Sequence, residues 1–540
     1  MNRTSRLRLF AAVTLALNIS AVPAMAATSP QVETGQGRVE GLRVKGISEF
    51  LGIPYAMPPV GDRRWQPPVA AKPWKGVRRA TQFGPACAQI TTLGAFAGPG
   101  NDNEDCLTLN VFTPDIATSG KLPVLVWIHG GGNMDGGSSG YDASRLATVG
   151  NTVVVSINYR LGLLGFLANP ALDAEGHSFG DYGLLDQQLA LRWVKANIAA
   201  FGGDPANVTL GGQSAGSIDT EANVASPLAA GLFQRAIFES VVLNGTPLPA
   251  AEKTGADFAE AAGCGRDATP AVAACLRHLP VKRIMQLEGT ESTQGPYNNM
   301  LIADGQIVPA GGLFAAFKQG TFTHMPIMSG TTHDEYNFLT AIAEYFSGPP
   351  RHAITVQQFQ SFVTKNHPAD MAKKIFAEYK LSDYNTPQLA WSAAGTDELV
   401  CPQLALNRIL APQVPVYGYE FNDATAPFYF PPMPGFEPLA YHTADIQYLF
   451  PLWHGGPTGQ VHQLNAQQQH LSDALVKAWT NFARSGDPNG PGVPNWPVFK
   501  PTTGQPGVYL SETLPASKTI TDQEFSVDHK CNFWPAVPAL

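Results

Sequence analysis

The sequence predicts an α/β fold, with a large, mostly parallel central sheet and helices on both faces. Three observations carry that expectation. Apolar, β-branched runs at 122–128 and 152–158 alternate with segments of helical spacing such as 182–200, and strand–helix alternation closes into a parallel sheet. Two of the strands run into glycine-rich turns, His129-Gly130-Gly131-Gly132 and Gly212-Gln213-Ser214-Ala215-Gly216. The 540 residues are 44% hydrophobic and only 14% charged, with 53 glycines and 45 prolines. That mix fits a compact, loop-rich globule and excludes a charged tail or a coiled coil.

Taken in order, residues 37–44 (GRVEGLRV) alternate and carry glycines, as a hairpin does. Phe50-Leu51-Gly52-Ile53-Pro54-Tyr55 follows, then a Pro-rich surface segment to about Trp74. Residues 107–112 form a strand candidate and 122–128 a buried strand. The β-branched run at 152–158 is expected to be a central parallel strand. Residues 182–200 read as a helix stopped by Phe201-Gly202-Gly203, 208–210 as a strand and 214–225 as a helix. Fainter strands lie at 325–330 and 414–421, and 471–484 is an amphipathic helix. No internal repeat is present. No linker divides the chain, so residues 27–540 are expected to form a single domain with large insertions.

The first 26 residues read as an export signal. Arg3, Arg6 and Arg8 precede an apolar run at 9–17, too short to span a bilayer, and Ala24-Met25-Ala26 is a small-residue cleavage site. Losing three arginines and no acid takes the formal charge from −8 to −11. So acidic a chain is a poor general ligand for nucleic acid or anionic lipid, and no later stretch is apolar enough to be a membrane anchor. A periplasmic or secreted location is expected. Six cysteines suit that compartment. They allow fifteen pairings; spacing suggests Cys87–Cys106, Cys264–Cys275 and Cys401–Cys531. No CxxC or HExxH spacing is present, so no metal site is expected.

Why does the chain place glycines two residues either side of Ser214? A G-x-S-x-G turn between a strand and a helix lifts the serine hydroxyl out of the sheet, and small neighbours let adjacent backbone pass close by. On its own the pattern fits any glycine-rich turn. The strand before it and the helix after it favour a nucleophile. The glycine run at 130–132, again at a strand end, frees backbone N–H groups to face a developing oxyanion.

The segment from Phe201 to Gly216 and the segment Glu104-Asp105-Cys106-Leu107-Thr108-Leu109-Asn110 resemble the two signatures of the type-B carboxylesterase and cholinesterase-like family, with Thr108 where Tyr is usual. Further matches lie at 50–55, 58–61, 158–162 (NYRLG), 231–237 and 482–489 (FARSGDPN). The resemblance spans nearly all of the chain after the signal. It implies an α/β-hydrolase fold with cholinesterase-like insertions, a serine esterase acting on small-molecule esters without a cofactor, the three disulfides suggested above, and a structural ion pair between Arg64 and Glu104.

A serine hydroxyl needs a base, and the base an orienting acid. In this fold the chain order is serine, acid, histidine. Gly330-Thr331-Thr332-His333-Asp334-Glu335 resembles the family's acid motif, which implies Glu335 as the acid and leaves Asp334 a structural carboxylate. Of 12 histidines, seven follow that motif: His352, His367, His442, His454, His462, His470 and His529. Only His442 lies in a loop that follows a good strand (414–421) and precedes an apolar segment (446–450). His442-Thr443-Ala444-Asp445 also resembles the family's histidine motif, with Thr443 in place of glycine; His454 is the runner-up. The expected mechanism is acyl transfer by Ser214, with the backbone N–H groups of Gly131, Gly132 and Ala215 as oxyanion hole.

Gln213 stands where the family has Glu, which removes a negative charge from the pocket and is expected to favour substrates carrying carboxylates. The whole chain is also similar to exported bacterial esterases that cleave tricarballylate esters from the mycotoxin fumonisin. A broad carboxylesterase or lipase, and a non-catalytic binding relative, are the rival readings.

Overall fold

The computed structural model describes residues 29–534 apart from 97–99, 115, 117–120, 178, 241, 291–292, 452–458 and 460–461. The export signal at 1–26 and His454 lie outside the described residues.

Eleven strands form the central sheet: β1 (Leu42–Val44), β2 (Ile47–Pro54), β3 (Thr108–Thr113), β4 (Leu122–Ile128), β5 (Val153–Ile157), β6 (Gly203–Gln213), β7 (Arg235–Glu239), β8 (Ile327–Thr332), β9 (Val416–Phe421), β10 (Val508–Glu512) and β11 (Lys518–Thr521). Their spatial order is β11-β10-β9-β8-β7-β6-β4-β5-β3-β2-β1. The block β5-β4-β6-β7-β8-β9-β10 is parallel throughout. β3, β2 and β1 extend one end and β11 the other through antiparallel pairings.

Alternate residues of one strand enter different cores, as the two-residue period of a strand requires. Val124, Val126 and Ile128 of β4 join one buried cluster with Leu184, Leu191 and Val194 of α1 (Tyr182–Asn197) and Ile218 of α2 (Ala215–Ala225). Leu404 of α3 (Pro387–Leu410) packs in the same cluster. Leu125 and Trp127 enter the other, with Leu475, Trp479 and Phe482 of α4 (Ala466–Ser485). Helices therefore cover both faces, and near-continuous apolar strands follow.

Two strand expectations need correction. Residues 152–158 sit at the margin of the parallel block, because β5 has parallel β4 on one side and antiparallel β3 on the other. Residues 37–44 do not fold back on themselves as a hairpin. Gly37–Glu40 pairs with Gln31–Thr34 in a separate three-stranded sheet, while β1 pairs with β2. Period-two alternation marks a strand but not its partner, which long-range packing chooses.

Three disulfides are present, Cys87–Cys106, Cys264–Cys275 and Cys401–Cys531. The last ties α3 to the segment following α5 (Asp522–Asp528) across 130 residues. Arg64 and Glu104 form a largely buried bidentate pair, Nε to Oε1 and Nη2 to Oε2, both at 2.7 Å. Arg64 Nη1 also donates to the carbonyls of Arg277 and Leu279, so one guanidinium holds three chain segments. A second buried pair, Arg160–Asp186, fixes the NYRLG stretch to α1. Within that stretch Gly162 has φ +52°, and a Cβ there would lie 1.3 Å from Oε1 of Glu288. That oxygen accepts the Leu163 N–H at 2.9 Å.

Candidate active site

In a parallel sheet the loops at the carboxyl ends of the strands converge on one side. Here those loops carry the sequence-predicted residues. Ser214 follows β6 and caps α2, with φ +60° and ψ −125°. Few residues tolerate that backbone, and strain of this kind gathers at functional sites. The turn is held by the Ser214 N–H donating to the Glu239 carbonyl at 2.8 Å. The flanking glycines answer to close approach: a Cβ on Gly216 would lie 2.1 Å from the Ile128 carbonyl oxygen, and one on Gly212 2.6 Å from the same atom. The end of β4 passes directly against the turn.

That passage places the glycine run beside the serine. A Cβ on Gly130 would sit 3.0 Å from Cβ of Ser214. The run itself is anchored from behind. Tyr159 Oη donates to the His129 carbonyl at 2.8 Å and lies 3.1 Å from Oδ1 of Asn133. Asn133 Nδ2 in turn donates to Asp219 Oδ1 of α2 and to the Met300 carbonyl. Gln187 of α1 donates to the other Asp219 oxygen. The amides of Gly131 and Gly132 donate to no acceptor among the described residues. Ala215 opens α2, where a backbone N–H has no intrahelical acceptor.

Glu335 follows β8 and His442 follows β9, and the two loops are stitched together. Asp334 N–H donates to the Ala440 carbonyl at 2.9 Å and His442 N–H to the Glu335 carbonyl at 3.3 Å. Asp334 Oδ2 accepts the Ala440 N–H, a structural use of that carboxylate. Nδ1 of His442 is hydrogen-bonded to Oε2 of Glu335. The other carboxylate oxygen accepts the Thr332 N–H at 2.8 Å, which fixes the group. Both side chains are buried, His442 at 6% exposure and Glu335 at 1%.

Gln213 brings the serine turn and the histidine together. Its Nε2 lies 3.1 Å from Nε2 of His442. An amide nitrogen only donates, so this ring nitrogen accepts and Nδ1 carries the proton toward Glu335. The Gln213 Oε1 has no hydrogen-bond partner among the described residues. Thr443, the departure from glycine, has φ +75°, a costly conformation for a β-branched residue. Its hydroxyl hydrogen-bonds the Tyr429 hydroxyl at 2.8 Å.

Burial sets the charge of the surroundings. Desolvation pushes the carboxyls of Asp135, Asp219 and Asp445 up to about 7, and lowers His129 to about 4. Asn133, Tyr159, Asp219 and Gln187 were not singled out by sequence. Asn133 directly follows the glycine run and Tyr159 sits within NYRLG, but their partners lie up to 167 residues away, beyond any local signal.

A family model described as the carboxylesterase family matches residues 28–534. The chain is 34% identical over 511 residues to a medium-chain fatty acyl-CoA hydrolase precursor of Anas platyrhynchos, covering 88% of this chain and 87% of that protein. It is 34% identical over 523 residues to carboxylesterase 1E of Mus musculus, covering 88% and 89%. It is 33% identical over 498 residues to the acylcarnitine hydrolase of Mus musculus, covering 87% and 86%.

Proposed function

The chain belongs to the carboxylesterase family and is a carboxylic-ester hydrolase of the α/β-hydrolase fold; on that premise we propose that Ser214, His442 and Glu335 form its catalytic triad. The supporting observation is the His442 Nδ1–Glu335 Oε2 hydrogen bond, which leaves Nε2 unprotonated beside the serine turn. Nε2 takes the Ser214 proton as Oγ attacks the ester carbonyl carbon. The carbonyl electron pair moves to oxygen, facing the N–H groups of Gly131, Gly132 and Ala215. Collapse breaks the bond to the leaving alcohol, which receives the proton from His442. Water then repeats the sequence on the acyl-enzyme. Glu335 holds the tautomer and stabilises the imidazolium without itself taking the proton.

The substrate proposed is an ester of a polycarboxylic acid, such as the tricarballylate esters of fumonisin B1. Gln213 supports this reading. It donates to the nitrogen that must accept the Ser214 proton, and one lone pair takes one good hydrogen bond. An acyl carboxylate that draws the amide away uncovers the base, whereas a glutamate at 213 would repel such a group. The names of the relatives support a second reading, a broad-specificity carboxylesterase. We further place the mature enzyme in the periplasm or outside the cell, after cleavage following Ala26; the three disulfides fit export, and no helix among the described residues is long and apolar enough to cross a membrane.

The test is product analysis with fumonisin B1 and simple neutral esters side by side, with Ser214→Ala as control. Release of tricarballylate at a kcat/KM above that for neutral esters supports the first reading. Hydrolysis of neutral esters alone supports the second. No hydrolysis and no labelling of Ser214 by an organophosphate removes the triad.

A further inference from the structure

A second group of titratable side chains lies behind the acid loop and takes no part in the ester chemistry. His333 precedes Glu335 by two residues, Asp528 ends α5 and His529 follows it. One donor atom from each lies within 4.8 Å of the other two. All three line a cavity of about 260 Å³, together with Asp334 and Asp397. The two imidazole rings are 5.1 Å apart between centroids.

The surroundings of these rings are those of ligating histidines. Nδ1 of His333 is 3.2 Å from Asp334 Oδ2, while its Nε2 faces Asp528 Oδ2 at 3.3 Å. His529 stands between Asp397 Oδ1, 3.1 Å from Nδ1, and Glu420 Oε1, 3.0 Å from Nε2. Each ring thus keeps a carboxylate on one nitrogen when the other turns to an ion. Such an outer carboxylate fixes ring orientation and raises the basicity of the ligating nitrogen.

We propose that His333, Asp528 and His529 bind a divalent transition ion of the zinc class. Two nitrogens and one carboxylate oxygen, with water from the cavity in the fourth position, make a tetrahedral set suited to zinc, and the nitrogens disfavour calcium and magnesium, which prefer all-oxygen sites. Four carboxylates, those of Asp334, Asp397, Glu420 and Asp528, face the two rings and supply negative charge for a doubly charged ion. The positions 333 and 529 are remote in sequence, so no spacing motif discloses the site. The ion links the β8 loop to the C-terminal segment that the Cys401–Cys531 bridge also anchors.

The experiment is calorimetric titration of the chelator-treated, full-length protein with zinc chloride, together with metal analysis after gel filtration. The expected result is one equivalent per chain, a higher melting temperature with zinc, and affinity at least about tenfold weaker in both His333→Gln and Asp528→Asn. Asp528 is exposed, so its amide variant folds; circular dichroism and hydrolysis of a simple ester verify this for both variants. Absence of stoichiometric zinc from the wild type overturns the proposal. Unchanged zinc affinity in both variants also overturns it, as does zinc inhibition of ester hydrolysis that is equal in wild type and variants, because the ion then sits on His442.

Discussion

Gln213 and His442, 229 residues apart, meet through Nε2 of each at 3.1 Å. The contact gives the residue before Ser214 a direct hold on the His442 ring. It ties the serine turn to the loop after β9 and leaves the second amide atom, Oε1, without a partner among the described residues.

Gln213→Glu adds a charge where an anionic acyl group is expected. Two charges several ångströms apart at an effective dielectric near 20 repel by about 2 kcal/mol. The expected outcome is a loss in kcat/KM of about ten- to fiftyfold for polycarboxylate esters, with a much smaller change for neutral esters. Steady-state kinetics on a matched pair of esters checks it, and equal losses on both would refute the role given to this amide.

Ser214→Ala is expected to lower kcat by at least about a thousandfold, and Glu335→Gln by about ten-thousandfold, because an amide favours the wrong imidazole tautomer. Circular dichroism of each variant matches the wild type. A Glu335→Gln enzyme of near-normal rate would move the orienting role elsewhere.

Stability falls as pH rises from about 4 to 8. Burial raises Asp135, Asp219 and Asp445 to about 7 and Glu288 to about 8. A carboxyl raised in the folded state binds a proton that the unfolded chain has already released. Its contribution is complete below the ordinary carboxylate pKa and is lost as pH passes its folded value. Each such group changes stability by about 1.4 kcal/mol per pH unit inside that window. Melting curves at pH 5, 6, 7 and 8 check the direction, and Asp219→Asn flattens the slope.

Arg64→Ala leaves the largely buried Glu104 carboxylate without its partner and frees the carbonyls of residues 277 and 279. Breaking a buried pair from one side costs about 3–5 kcal/mol. Denaturant unfolding monitored by tryptophan fluorescence reports the loss; a change within about 0.5 kcal/mol would show that the pair is dispensable.

Much of this was legible in the sequence because its signals are local. The glycines around Ser214 mark a turn that another strand grazes, and Ile128 is that strand. The serine–acid–histidine order left seven rings of twelve, and the strand before His442, the apolar segment after it and the resemblance to the family's histidine motif favoured His442 over His454. What stayed hidden depends on contacts across the fold. The pairing partners of residues 37–44 follow from packing and not from alternation. The support of the glycine run by Tyr159, Asn133 and Asp219 joins three segments that carry no shared pattern. Thr443 was visible as a departure, but only its positive φ and the Tyr429 hydroxyl explain how a β-branched residue is held there.

The carboxyl of Glu288 fills the space in which any side chain at position 162 would begin. A methyl at 162 must push that carboxyl off the Leu163 amide it now caps, and the positive φ of 162 stays unfavourable for any side chain whatever residue stands at 288. Shrinking Glu288 alone strands the Leu163 amide without making 162 open to substitution. The glycine is therefore held twice over, by its neighbour and by its own backbone, and a compensating change at 288 relieves only the first.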